Sequence, residues 1–321
     1  LYDLQGKPVE AVSLRLRART LFEKAYENNV PNNIIERTEF MAWKDSDIAL
    51  ALAKTGRSND AEKILLKSLA EIEKFYGLDH LNATLILDRL GLLYLGQQRL
   101  SEAEAAYRRS LAIREKVDSA SVANTQPLLA GVLQAQSRFA EAEDLYLRSL
   151  KALEKSDGPE GLHLASALGG LGALLEQQER YAEAEIVLKR LLLTKEKTLP
   201  AGHIAIASSH STLARLYRKQ GRIADAENAY ARAAEILAAS AGQQSSAVIG
   251  LLIEVADFCE EKGNYADAAT VTQKVIDLSV ASLGPNHPNV AESRYDLAYF
   301  HLRLGQPDRT LAESRRATAI Y

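Results

Sequence analysis

Two groups of charged residues have the spacing that a binding surface on helices requires. In each group the second and third residues follow the first by three and four positions, which places all three on one face of a helix. The groups stand 42 residues apart, and they consist of Arg215, Arg218 and Lys219, and of Asp257, Glu260 and Glu261. Such charges either pair with each other between neighbouring helices or bind a partner with matching charges, and internal pairing is the favoured reading.

The six histidines and the single cysteine are the other residues whose chemistry could serve metal binding or catalysis. His80, His203 and His287 recur at one phase of the sequence, in loops, so we expect them to terminate helices rather than to bind a metal. Cys259 is expected to be an inert thiol in the core. The sequence contains no nucleophile-elbow, phosphate-loop, zinc-protease or EF-hand motif. We therefore expect no catalytic residue, no metal and no cofactor, and we predict that the chain is not an enzyme.

An internal repeat determines where all these residues lie. One small residue marks the same position in every repeat, and we call it the anchor. The anchors are Ala61, Ala103, Ala142, Ala184, Ala226, Ala268 and Thr310. Successive anchors are 42 residues apart, except for one step of 39 residues between the second and the third. A fixed period of this length is typical of an array of helical repeats.

Two further columns of residues support this register. The residue 12 positions before each anchor is Gly or Ala, and the residue 13 positions before it is aliphatic. Small residues allow two helices to approach closely, and the aliphatic neighbour fills the contact between them. The sequence therefore predicts seven pairs of amphipathic helices with both columns buried, and no sheet.

Composition and charge argue against several classes of protein. The 321 residues carry a net charge of −3, whereas binding to nucleic acid asks for a concentrated basic surface. The single cysteine excludes an internal disulfide framework. No stretch is long and apolar enough for insertion into a membrane. The compartment stays open, with the cytoplasm favoured over the periplasm.

The stretch from Leu87 to Lys116 resembles a tetratricopeptide repeat. The residues that match the motif are Leu90, Gly91, Tyr94, Ala103 and Tyr107. The longer period of 42 residues, together with Leu111–Lys116 and Gly284–Ala291, resembles the repeats of kinesin light chains and their bacterial relatives. The resemblance implies an all-α fold, a right-handed superhelical α-solenoid of tetratricopeptide helix pairs.

In proteins of this kind the first helix of each pair lines a concave groove that binds a protein or a peptide. The resemblance therefore places both charged groups in the groove, with Tyr295 and Tyr299 one repeat further on as anchors for the partner. The Asn residues with which the family often holds a partner's backbone are missing here, so that mode of binding is not expected. The resemblance implies a protein–protein interaction scaffold. The alternative is a regulatory or sensing segment of a larger multidomain enzyme, a protease or an NTPase.

The repeat register predicts three segments and leaves the oligomeric state open. Residues 1–27 are expected to hold the second helix of a partial repeat, 28–42 an irregular connection, and 43–321 seven repeats in one solenoid. Trp43 is expected to pack against the N-terminal segment, with a groove-facing anchor as the alternative reading. Gly169 and Gly170 predict a soft point in the fourth pair, because each interior Gly costs roughly 1 kcal/mol relative to Ala.

Overall fold

The computed structural model describes residues 12–21, 34–117, 119–158, 161, 163–239 and 246–320. Within these ranges every regular element is a helix and no strand occurs, so the predicted all-α fold is confirmed. The chain divides into two compact units, Leu1–Gln178 and Glu179–Tyr321. The division falls inside the fourth predicted pair, after its first helix. The continuous solenoid over 43–321 stays a prediction.

The first unit begins, among its described residues, with a helix over 12–21, which we call α1. Three helix pairs and a single helix follow it. They are α2 (Ile34–Lys54) and α3 (Ser58–Tyr76), α4 (Leu81–Gly96) and α5 (Leu100–Val117), α6 (Ser119–Ala135) and α7 (Phe139–Asp157), and α8 (Leu164–Gln177). The two helices of each pair pack against each other, and each pair packs against the next.

The second unit repeats this arrangement. One helix, α9 (Tyr181–Thr198), precedes three pairs. They are α10 (Ile204–Lys219) and α11 (Ile223–Ala239), α12 (Ser246–Glu261) and α13 (Tyr265–Leu283), and α14 (Pro288–Arg303) and α15 (Pro307–Thr318). The first helix of each pair therefore has 16 residues in this unit.

Both predicted columns are buried throughout the chain. The aliphatic column, from Ile48 to Leu297, is buried in every repeat, and so is the small column, including Ala214 and Ala256. Six of the seven anchors are fully buried, whereas Thr310 is half-buried. The repeat positions that the sequence predicts to be buried are thus buried in the structure.

The turn inside each helix pair has one backbone geometry. The residue five positions before the anchor has a φ between 60° and 77° in all seven turns. Four of these residues are Gly, and the other three are Gln98, Ser137 and Glu179. An L-residue in this left-handed region costs roughly 1–2 kcal/mol, so at Gln98 and Ser137 the packing of the two helices of the pair imposes the turn.

The three phase-matched histidines stand at helix starts. The Nδ1 atoms of His80, His203 and His287 each accept a hydrogen bond from the backbone N–H two residues further on, at 3.1–3.2 Å. Each imidazole satisfies one of the N–H groups that the first turn of a helix leaves without an intrahelical partner. This role accounts for their recurrence at one phase without a metal.

The predicted irregular connection over 28–42 is wrong for its second half. Residues 34–42 form the beginning of α2, which has 21 residues. The stretch contains neither Gly nor Pro and carries the good helix formers Glu36, Arg37, Glu39, Met41 and Ala42. Residues 28–33 lie outside the described part of the chain, and so do residues 1–11 and 22–27, which flank α1 in the predicted 1–27 segment.

The packing predicted for Trp43 is also wrong. Its side chain is 60% exposed, whereas its neighbours Met41 and Ala42 are buried. The attachment of α1 to α2 comes instead from Arg19, whose guanidinium donates to both carboxylate oxygens of the buried Asp45, at 3.1 Å for Oδ2. The tryptophan thus lies on the surface of α2 while a buried ion pair joins the two helices.

Arginines four positions before the anchor connect neighbouring repeats. In the first unit, Arg99 lies 2.8 Å from Glu62 of the preceding pair and 2.9 Å from Glu102 of its own helix. In the second unit, Arg222 lies 2.6 Å from Glu185 of the preceding pair. The acidic residues that recur beside the anchors are therefore partners in ion pairs between repeats.

Candidate partner-binding site

The eight residues predicted to bind a partner lie on three first helices of the second unit. Helix α10 carries the basic group, α12 carries the acidic group, and α14 carries the two tyrosines. Helices α12 and α14 both pack against α13. The repeat therefore brings side chains that are 42 residues apart in sequence onto adjacent helices.

Two residues of the basic group form ion pairs with α12. Arg215 donates to Glu254 at 2.9 Å, and Arg218 pairs with Glu261. The internal pairing expected from the sequence is therefore present for Arg218, while Arg215 takes Glu254 in place of the same-phase Asp257. Lys219 is exposed near the end of α10.

The other two acidic residues, Asp257 and Glu260, line an open cleft between α12 and α14. Glu292 and Asp296 of α14 face them across it, and Thr272 of α13 forms part of the floor. The cleft has a volume of about 230 Å³. Its four carboxylates make a strongly acidic surface. The sequence analysis identified only two of them, Asp257 and Glu260.

The four cleft carboxylates have no cationic partner among the described residues within 4 Å. Burial raises the pKa of Asp257, and the neighbouring Glu260 raises it further. Burial also raises the pKa of Asp296, with additional repulsion from Asp257, Glu260 and Glu292. Mutual repulsion of this kind is relieved when a cation enters.

The lining of the cleft contains a small residue of α13 where earlier repeats have a large one. Four positions after the anchor, the five preceding repeats carry buried Leu or Tyr side chains. They are Leu65, Tyr107, Tyr146, Leu188 and Tyr230. The sixth repeat has Thr272 at this position. The first repeat has a smaller recess of about 170 Å³ at the equivalent place, lined by Leu65, so Thr272 enlarges the cleft rather than creating it.

The two tyrosines form an exposed aromatic edge beside the cleft. Tyr295 and Tyr299 are 42% and 39% exposed. The hydroxyl of Tyr299 accepts a hydrogen bond from Arg303 at 2.9 Å, and its ring meets that of Tyr265 edge-on, with centroids 6.3 Å apart. These contacts fix the ring while leaving much of its surface open to a partner.

Glu292 and Asp296 are the site residues that sequence reasoning missed. One period earlier, α12 has Gly250 and Glu254 at the positions of Glu292 and Asp296. The sequence analysis followed only the phases of the basic group, which α14 fills with Tyr299, Leu302 and Arg303, and therefore passed over both residues. The four-residue spacing between Glu292 and Asp296 was the available signal, since it places both on one helix face.

Metal chemistry finds no support in the part of the chain that the structure describes. No group of three or more His, Cys, Asp or Glu side chains there is arranged to hold a metal ion. Cys259 is half-buried and packs against the core cluster that includes Ala268 and Leu297, and burial raises the pKa of its thiol. Among the described helices, none combines the length and the apolar character needed to cross a membrane.

Paired helices in this register, with small and aliphatic residues at the contacts, define a helical repeat protein that acts as a protein-binding scaffold. A family model described as Tetratricopeptide repeat matches residues 40–116, 119–197 and 248–321, and the chain belongs to this family. A second model, described as Soluble NSF attachment protein, SNAP, matches residues 192–283 only. A comparison with curated proteins found no matching sequence.

Solved structures share the fold at low sequence identity. BtubC (BKLC) from P. vanneervenii is 21% identical, with a TM-score of 0.61 over 72% of this chain and 91% of that one. A putative kinesin light chain from Podospora anserina is 21% identical, with a TM-score of 0.52 over 61% and 95%. A Rap protein complexed with competence and sporulation factor is 15% identical, with a TM-score of 0.60 over 98% and 93%. The resemblance to kinesin light chain repeats is thus confirmed as one of fold.

Proposed function

We propose that this chain binds an extended segment of a partner protein along α10, α12 and α14. The observation that carries the proposal is the exposed aromatic edge of Tyr295 and Tyr299 beside an open, charged cleft. Tyrosine combines a large rigid contact area with a polar end, and it is enriched at the centres of protein interfaces. The proposed role is that of a binding protein rather than an enzyme.

The ion pairs on this surface suit reversible binding. The side chains of Arg215 and Glu254 are 45% and 31% exposed, and Arg218 pairs with an exposed Glu261. Exposed pairs typically contribute only about 0–1 kcal/mol to stability. A partner can therefore replace one member of a pair at little cost, and its charges then decide the register in which it binds.

The test is site-specific photocrosslinking in the source cell. A photoreactive phenylalanine analogue is placed at Tyr299 and, in a matched control, at Ile186, which is 71% exposed on α9 of the same unit. We expect one partner to be crosslinked from position 299 and not from 186, and the Tyr295→Ala substitution to reduce that yield. Equal crosslinking from both positions would show that no partner is bound on this surface.

A further inference from the structure

We propose that the cleft between α12 and α14 receives a cationic side chain, an arginine in preference to a lysine, from the bound partner segment. This inference rests on the proposed function, because it assumes that a protein segment lies on this surface. It adds the chemical identity of the residue that the segment must carry.

The preceding repeat shows how the chain's own side chains can fill this place in the fold. There the buried Tyr230 lies beside Phe258, with ring centroids 4.9 Å apart. The guanidinium of Arg218 lies 5.6 Å from the centroid of Phe258, and its Nη1 is 3.5 Å from the hydroxyl of Tyr230. The chain thus fills this space with the ring of Tyr230 and places the guanidinium of Arg218 beside the ring of Phe258.

One repeat later the phenylalanine is kept and the other two residues are changed. The residues 42 positions after Tyr230, Phe258 and Arg218 are Thr272, Phe300 and Glu260. All three of the later residues line the cleft. A small hydroxyl residue thus replaces the tyrosine, and a carboxylate replaces the guanidinium. The space is open and the local charge is negative, so a cation that enters must come from outside this repeat.

The floor of the cleft offers polar groups without partners. Thr272 is 4% exposed and Ser279 is 1% exposed, and both line the cleft. Neither hydroxyl makes a hydrogen bond to another described residue. Both residues border the cleft, so their hydroxyl groups are available to bond to a ligand that enters it, as donor or as acceptor.

The walls suit an arginine better than a lysine. Carboxylates stand on both sides, Asp257 and Glu260 on α12 and Glu292 and Asp296 on α14. A guanidinium has five donors in a planar fork and can bond to both walls, whereas an ammonium is a compact point charge. Ile249 and Ile253 provide apolar surface for the methylene stem.

The experiment is a selection from a random dodecapeptide phage library on the full chain. Wild-type protein is compared with Thr272→Tyr and Thr272→Leu, which restore the residue types of the other repeats and leave all four carboxylates in place. We expect arginine to be enriched at one position of the peptides selected by the wild type, and this enrichment to be lost with both variants. Thermal melts check that the variants fold. Two different side chains are introduced at position 272 so that a folding defect of one variant does not decide the result.

The selected peptide is then measured by fluorescence polarisation with its arginine, and with citrulline, the neutral isostere, in its place. We expect citrulline to weaken binding by about tenfold or more, as loss of a charge-assisted hydrogen-bonded pair does. The double substitution Asp257→Asn with Asp296→Asn is expected to have a similar effect. Glu235→Gln on α11, whose carboxylate pairs with Arg232 outside the cleft, serves as the matched control.

The outcomes separate the two proposals. Peptides whose binding depends on Tyr299 but shows no preference for arginine or lysine overturn the cationic side chain and leave the binding surface standing. Peptides that ignore both Tyr299 and the cleft overturn both. Displacement of the peptide by equimolar spermidine would make the cleft a site for free polyamines, which also overturns the inference.

Discussion

The ring of Tyr146 occupies the space that a Cβ atom on Gly170 would need. A Cβ built there would lie 2.3–2.5 Å from the ring atoms Cε1 and Cζ and from the hydroxyl oxygen. Tyr146 is buried and its hydroxyl contacts Gln134 at 3.3 Å, so the ring has little freedom to move. Gly170, which the sequence analysis treated only as a soft point, thus has a packing role: glycine here lets two neighbouring helices approach across an aromatic ring.

We expect Gly170→Ala to destabilise the protein even though alanine favours helix. The propensity gain is roughly 1 kcal/mol, whereas forcing a methyl group into a filled core typically costs about 1–3 kcal/mol. The net effect should be a lower free energy of unfolding in urea. The double variant with Tyr146→Leu should recover part of the loss, because the shorter side chain vacates the contested space.

Gly250 provides the matched control for this substitution. It lies in α12, and a Cβ there would meet nothing within 4 Å. Gly250→Ala should therefore stabilise by roughly 0.5–1 kcal/mol through helix propensity alone. Equal effects of the two glycine substitutions would mean that the Tyr146 ring yields and that helix propensity decides both sites.

A second prediction concerns the turn at Gln98, whose φ is 60°. Gln98→Gly should raise the free energy of unfolding by up to about 1 kcal/mol, because relief of the left-handed strain exceeds the added freedom of the unfolded chain. The reverse change, Gly221→Gln at the same position of the fifth repeat, should destabilise. Gly221 has open space around it, so only its backbone, with a φ of 71°, is tested.

A third prediction uses Glu104, which accepts hydrogen bonds from Gln136, Arg108 and Arg138. Burial opposes its ionisation, but the three donors outweigh burial and lower the pKa of Glu104 to about 2. A lowered pKa in the folded state adds stability that is present above the ordinary glutamate pKa and is lost as the pH falls towards 2.

Glu104→Gln should therefore destabilise at pH 7 by on the order of 2 kcal/mol, the range for hydrogen bonds to a charged group. The difference between variant and wild type should shrink below pH 4.5 and vanish near pH 2. The control is Glu102→Gln in the same helix turn, for which we expect a smaller change at pH 7. A difference that is constant from pH 7 to pH 2 would contradict an electrostatic origin.

A fourth prediction concerns the cleft, where burial first and then the three neighbouring carboxylates raise the pKa of Asp296. A raised pKa in the folded state means that the ionised form costs stability above the folded pKa, and that the cost disappears as the pH falls below the unfolded value. Asp296→Asn should therefore raise the melting temperature at pH 7. The gain should vanish below about pH 4, the ordinary aspartate range. A lower melting temperature at pH 7 would mean that the carboxylate is already compensated.

Most of the fold could be predicted from the sequence because the repeat supplies seven observations of each position. The buried columns, the anchors and the absence of strands among the described residues all follow from this averaging. The same averaging hides single departures. The extension of α2 and the exposure of Trp43 occur in one repeat only, so comparison of equivalent positions between repeats could not predict them.

The candidate site was predicted only in part for the same physical reason. Matching phases identified Asp257 and Glu260, but the cleft also has the small Thr272 in its lining, and its other two carboxylates, Glu292 and Asp296, lie outside the phases of the basic group. The sequence signal was Thr272, because the position four residues after the anchor is Leu or Tyr in the five preceding repeats. A binding site in a repeat protein is marked by the residue that breaks a column, whereas the fold is marked by the residues that keep it.

The small side chain of Thr272 has a consequence for how such a chain acquires new partners. Five earlier repeats have a buried Leu or Tyr side chain at the equivalent position. A change at this one position alters the size of a recess whose walls the surrounding helices already form, as the smaller recess beside Leu65 in the first repeat shows. The point of recognition can therefore shift along the chain by whole repeats during evolution, without any new architecture.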